Sequence, residues 1–111
     1  MKTYGKALDL KNDPEIIEKY KEYHRNVWPE VKDSLGEIGI TAMRIFCLGN
    51  HLFMYMETVD DFDPDGLQEY TEKNPRAGEW NDLMFTFQQV VPEAAEGELW
   101  AAMEQVYDLD W

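Results

Sequence analysis

Disulfide chemistry has almost nothing to work with in this sequence. Cys47 is the single cysteine among 111 residues, so no intrachain bridge forms and a reducing, cytoplasmic compartment is expected. Basic residues are scarce: 10 Lys and Arg stand against 23 Asp and Glu, for a formal net charge of −13. A surface of that sign repels phosphates, which excludes nucleic acid as a partner and disfavours an anionic membrane. No stretch approaches the ~18 apolar residues of a membrane span. The opening MKTYGKALDLKNDP lacks the apolar run of a signal peptide. Metal-ligand spacings such as Cys-x-x-Cys and His-x-x-x-His are missing. So are a glycine-rich phosphate loop and a Gly-x-Ser-x-Gly elbow. These absences remove zinc hydrolases, the common nucleotide-binding enzymes and serine hydrolases.

What the chain does have is apolar material. Hydrophobic residues make up 44% and aromatics 14%, enough to build a core and to oppose disorder. The length fits one domain, residues 1–111. The acidity is uneven. Residues 1–32 hold seven basic and six acidic groups, whereas residues 33–111 hold three and seventeen.

Residues 2–10 read as a short strand. Asn12-Asp13-Pro14 then starts a helix, with Asp13 as cap and Pro14 at the first helical position. At ~100° per residue, Ile16, Ile17, Tyr20, Tyr23, His24 and Val27 share one arc, and the charged residues lie outside it. Trp28-Pro29 interrupts the helix, because a residue before proline avoids helical dihedrals. A second helical piece is expected over 29–38, stopped by Gly39. Residues 40–48 and 51–59 read as strands of a hairpin led by Gly49. Neither alternates cleanly, which implies that both sheet faces are covered. Asp63-Pro64 and Asn74-Pro75 repeat the cap-then-proline pattern, predicting helices over about 64–73 and 75–91. Residues 100–109 read as a final strand. The order predicts an α+β, ferredoxin-like βαββαβ fold: a four-stranded antiparallel sheet with its helices on one face. A second subunit is the natural cover for the other face, so a homodimer is expected.

Side chains suited to acid–base work near neutrality are few. His24 sits at the edge of the helix's apolar arc, four residues after Tyr20 and four before Trp28. A histidine so placed either caps a core edge or transfers protons, and spacing alone leaves both open. His51 begins a strand after a turn and reads as exposed. Cys47 reads as a small apolar packing group. Trp80 falls on the apolar face of the late helix, where tryptophan is usually core but can also stack on a sugar ring. The methionines read as core filler. The acidic run Asp60–Asp65 lacks the spacing of a calcium loop and reads as solvated.

The segment from Tyr20 to Glu30 resembles the Y-x-x-x-H-x-x-x-W-P-E motif of the L-rhamnose mutarotase family. The resemblance extends through KALDLKNDPEIIEKY, MRIFCLGNHLFMYMETV, EWNDLM and MEQVYDL, which together span nearly the whole chain. It implies a dimeric α/β barrel that uses no cofactor and no metal. The implied activity is interconversion of the α and β anomers of a 6-deoxy-hexose, a small neutral sugar. It implies His24 as the catalytic proton donor and Tyr20 and Trp80 as sugar contacts. Two further contact positions depart from the family pattern. Asn81 stands where the family has a second tryptophan, and Met43 where it has a tyrosine. The acid is untouched, but the sugar stays open between L-rhamnose, L-fucose and other deoxy sugars. Two other readings remain: a cofactor-free oxygenase on the same fold, and a non-catalytic sugar-binding module.

Overall fold

The computed structural model describes residues 1–64 and 66–111. The elements run β1 (Lys2–Leu10), α1 (Pro14–Arg25), α2 (Pro29–Glu37), β2 (Ile40–Leu48), β3 (His51–Thr58), α3 (Gly66–Lys73), α4 (Pro75–Phe85), β4 (Gln88–Gln89) and β5 (Ala101–Ala102). The sheet order is β2-β3-β1-β4, with β5 also paired to β1. Every pairing is antiparallel. This is the expected ferredoxin-like arrangement with one correction. The fourth strand position is filled by two short segments: β4 opposite Asp9 and Leu10, and β5 opposite Lys6 and Ala7.

Local chemistry accounts for most boundaries. The Asp13 carboxylate accepts the Glu15 amide at 2.9 Å, and Pro14 occupies the first turn of α1. Trp28 is extended, with ψ 132°, and α2 starts on Pro29. Gly39 has φ +101°, and a Cβ there would meet a Val59 methyl at 2.8 Å, so glycine is required on both counts. Gly49 has φ +60° and turns the β2–β3 hairpin. The Asn50 side chain then donates to the Leu10 carbonyl, fastening the hairpin tip to the end of β1. Asn74 caps α4 through the amides of Arg76 and Ala77.

Three expectations are corrected. The late helix stops at Phe85 rather than near residue 91. The Thr86 hydroxyl bonds the Leu83 carbonyl, the amides of Thr86 and Phe87 tighten to i−3 carbonyls, and residues 88–89 are drawn to the free edge of β1. The last strand covers Ala101–Ala102, not 100–109. Cys47 is exposed, with its thiol toward the Gly49 carbonyl, rather than packed. Within the acidic run, Asp60–Pro64 form a turn and loop, and Asp65 lies outside the described residues.

One face of the sheet carries the core. Leu10, Tyr20, Val31, Leu52, Trp80, Met84 and Phe87 form one buried cluster, joining β1 and β3 to α1, α2 and α4. Ile40, Met56 and Phe62 form a second. On the opposite face Phe46 and Phe53 stack at 6.2 Å. Phe46 stays 56% exposed, and the chain end presents Leu109 at 83% and Trp111 at 78%. Among the described residues no helix is long and apolar enough to cross a membrane.

Candidate active site

Between the helices and the sheet lies a cavity of about 370 Å³, within the size range of pockets that hold small ligands. Its lining is mainly apolar and aromatic, with a few polar groups from separate elements. Helix α1 supplies Tyr20 and His24, strand β2 supplies Met43, and helix α4 supplies Trp80 and Asn81. All five residues singled out from the sequence therefore border one space. Tyr20 and Trp80 are buried in its wall, Met43 is half-buried, and Asn81 is exposed at the rim. His51 lies elsewhere, exposed and paired with the Asp9 carboxylate at 2.9 Å.

Tyr20 and His24 are one helical turn apart, which puts them on the same side of α1. Their rings stack, with centroids 4.2 Å apart and planes 29° from parallel. Trp80 meets the imidazole edge-on at 5.4 Å, and Trp28 packs against Trp80 at 5.1 Å. The Arg76 guanidinium caps Trp28 from 4.0 Å. The imidazole is thus held by aromatic rings on two sides.

His24 Nδ1 lies 2.8 Å from the Tyr20 carbonyl oxygen. A carbonyl can only accept, so Nδ1 carries the proton, and in the neutral ring the lone pair sits on Nε2. Burial pushes the imidazole's pKa below its usual 6.5, opposed by the hydrogen bond to Tyr20. The ring is therefore neutral at physiological pH and offers a base at Nε2. Burial drives the Tyr20 phenol up to about 12, against the opposing pull of a hydrogen bond from Gln88. At neutral pH Tyr20 is a hydrogen-bond donor or acceptor and not a phenolate base.

Lys6, Gln88 and Trp100 are among the lining residues that the sequence reading did not single out. Lys6 had a readable signal, since it shares the even-numbered side of β1 with Leu8 and Leu10, both fully buried. Gln88 was hidden by the overlong helix, and Trp100 by its place at the start of an overlong strand. The buried Gln88 Oε1 has no hydrogen-bond partner among the described residues. A buried acceptor left unpaired costs about 1–3 kcal/mol, which a ligand hydroxyl would relieve. Among the described residues no group of three His, Cys, Asp or Glu is placed to hold a metal ion.

Sheet, helices and cavity together define an α+β protein of ferredoxin-like topology, with a largely apolar cavity that a neutral histidine borders. A family model for L-rhamnose mutarotase matches residues 3–109, and the chain belongs to the L-rhamnose mutarotase family, a family of sugar isomerases. It is 56% identical to a UPF0734 protein of Dictyostelium discoideum, over 99% of this chain and 91% of that protein. It is 38% identical to an L-fucose mutarotase of Xanthomonas campestris pv. campestris, over 93% of this chain and 84% of the relative. Its fold matches that of an L-rhamnose mutarotase from Formosa agariphila with a TM-score of 0.72 at 23% identity, covering 98% of this chain and 99% of the other.

Proposed function

We propose that this protein interconverts the α and β anomers of a 6-deoxy-hexose of the L-fucose or L-rhamnose type. The observation that carries the reading is the fixed tautomer of His24, a cavity-lining imidazole whose Nδ1 is committed to the Tyr20 carbonyl.

Anomer exchange opens the hemiacetal, turns the aldehyde and closes the ring again. On opening, His24 Nε2 takes the proton of the anomeric hydroxyl, the C1–O5 bond breaks, and its electron pair goes to the ring oxygen, which must be protonated. On closing, that hydroxyl attacks the opposite face of the aldehyde and the His24 imidazolium returns its proton to the carbonyl oxygen. The resemblance implies His24 as the proton donor, the acid that protonates the ring oxygen; the neutral imidazole departs from that reading, acting as base on opening and as acid on closing. The Trp80 ring offers an apolar face to the sugar's C–H surface. Gln88 Oε1 and the Tyr20 hydroxyl pair with its hydroxyls, and Asn81 reaches it from the rim. Met43 makes its wall apolar where the family has a tyrosine, which fits the 6-methyl group of a deoxy sugar. A neutral sugar needs no cationic pocket, so a net charge of −13 is no obstacle. The test is anomer exchange followed by saturation-transfer NMR with free sugars.

The same reading takes the protein to be a cytoplasmic homodimer. Support comes from the stacked, exposed Phe46–Phe53 pair and from a chain end that presents Val106, Tyr107, Leu109 and Trp111 to solvent. Apolar surface gathered in this way calls for a partner, and a second copy pairing through its own sheet face is the simplest closed solution.

A further inference from the structure

Opening the sugar ring leaves an electron pair on the ring oxygen at the same time as His24 Nε2 takes the proton of the anomeric hydroxyl, so a concerted opening needs a second group to protonate that oxygen. The cavity must supply the proton from another group. We infer that Lys6 is that group, its ammonium donating to the ring oxygen on opening and its amine recovering the proton on closing. The inference rests on the mutarotase reading.

The position of Lys6 is its first support. On β1 it lies opposite Met54 of β3 and Ala102 of β5. Its side of the strand also carries Tyr4, Leu8 and Leu10, which pack into the layer beneath the helices. A lysine half-buried on such a face is uncommon, because its charge is desolvated. Lys6 and His24 border the same cavity from opposite layers, one from the sheet and one from α1.

Elimination is the second support. The titratable side chains lining the cavity among the described residues are Lys6, Tyr20, His24 and Asp82. Asp82 is exposed at the rim. His24 is occupied as the base. Tyr20 is raised to about 12, whereas burial lowers Lys6 from 10.5, so the ammonium is the stronger acid of the two. The groups acting on Lys6 can be named. Burial favours its neutral form, and the negative charge of Glu98 opposes that. Glu98 is itself held ionised by the amides of Ala95 and Ala102, which also pins the 90–100 loop beside β1. Burial thus makes the ammonium a stronger acid than a solvated lysine, and the Glu98 carboxylate works against that shift.

The test compares Lys6→Met and Lys6→Arg with the unmodified protein. Anomer exchange is followed by saturation-transfer NMR. Binding of 1,5-anhydro-L-fucitol, which lacks the anomeric hydroxyl and cannot react, is followed by calorimetry. Both variants are expected to lose about 100-fold or more in exchange while still binding the analogue. Arginine keeps the charge but releases no proton at these pH values. Exchange restored by Lys6→Arg would reduce Lys6 to a charge and overturn the inference, as would undiminished exchange in Lys6→Met. The unmodified protein gives a reading that no folding defect touches. After subtraction of the solvent-catalysed rate, its exchange should fall on the alkaline side at a pH below 10.5, and a rate that stays level through that range contradicts the assignment. Absence of exchange in the unmodified protein, with every sugar, defeats the mutarotase reading itself rather than the role of Lys6.

Discussion

His24 donates from Nδ1 to the carbonyl of Tyr20, 2.8 Å away, while the rings of the same two residues stack at 4.2 Å. One helical turn thus fixes both the tautomer and the plane of the imidazole. This coupling gives the histidine a defined orientation, with Nε2 as the unprotonated nitrogen of the neutral ring. The predictions below follow from that site and from the surfaces around it.

The first concerns pH. The pKa of His24 is lower in the folded chain than its ordinary 6.5. The neutral form therefore prevails above that lowered value, and if His24 acts as proposed, exchange should hold level from neutrality down past pH 6.5 before it falls. Stability has the same sign. The unfolded chain binds a proton near pH 6.5 that the folded chain refuses, so His24 contributes a loss of stability as pH drops below 6.5. His24→Gln should remove that contribution. Denaturation midpoints of both proteins at pH 7.5 and 5.5 check it, and an equal loss in both would contradict it.

Gln88 separates stability from binding. Its Oε1 is buried and unpaired among the described residues. Gln88→Leu removes the orphan acceptor but also the hydrogen bond that Gln88 gives the Tyr20 phenol, so the two effects oppose each other and stability should change by less than about 1 kcal/mol. Sugar affinity should fall about tenfold, the equivalent of one hydrogen bond of about 1.4 kcal/mol. Urea denaturation and titration with 1,5-anhydro-L-fucitol measure the two effects. A variant that binds as tightly as the parent would remove Gln88 from the site.

Trp80 joins core and cavity, being 6% exposed and in ring contact with Tyr23, His24 and Trp28. Trp80→Ala should cost about 3–5 kcal/mol of stability and also weaken the sugar. Trp80→Phe keeps an aromatic face and should retain most of the exchange, with a smaller loss of stability. Equal loss of exchange in both variants would mean that the indole does more than stack.

The open sheet face predicts association. The protein should sediment at twice its 13.1 kDa chain mass. Phe46→Glu, which places a charge against Phe53, should shift it toward one chain mass without unfolding it. A stable monomer at micromolar concentration in the unmodified protein would contradict the dimer.

Much of the fold was legible because its signals are local. Cap-then-proline pairs at Asp13-Pro14 and Asn74-Pro75, the pre-proline Trp28 and the positive-φ glycines act within a few residues. The end of α4 was illegible because Phe87 continues the apolar spacing of the helix while belonging to a turn. The competing claim on residues 88–89 comes from the free edge of β1, some 80 residues away in sequence. Tyr20 and His24 were legible as candidates through the Y-x-x-x-H-x-x-x-W-P-E resemblance, and Trp80 through the EWNDLM segment. Spacing alone left His24 between packing and chemistry, and the hydrogen bond that fixes its tautomer uses a backbone carbonyl that no side-chain pattern reports. Lys6 was overlooked because a charged side chain in a short strand is ordinarily solvated. Its place on the buried side of β1 is what gives it meaning.

The central claim is that this chain catalyses anomer exchange through His24. Saturation-transfer NMR on L-fucose and L-rhamnose, with the D-enantiomers as controls, tests it in one measurement. At catalytic protein concentration, magnetisation should pass between the α and β anomeric protons of an L-6-deoxy sugar, and a folded His24→Ala variant should lower that rate by about 100-fold or more. Transfer no faster than the uncatalysed rate for every sugar, or undiminished in folded His24→Ala, would contradict the account.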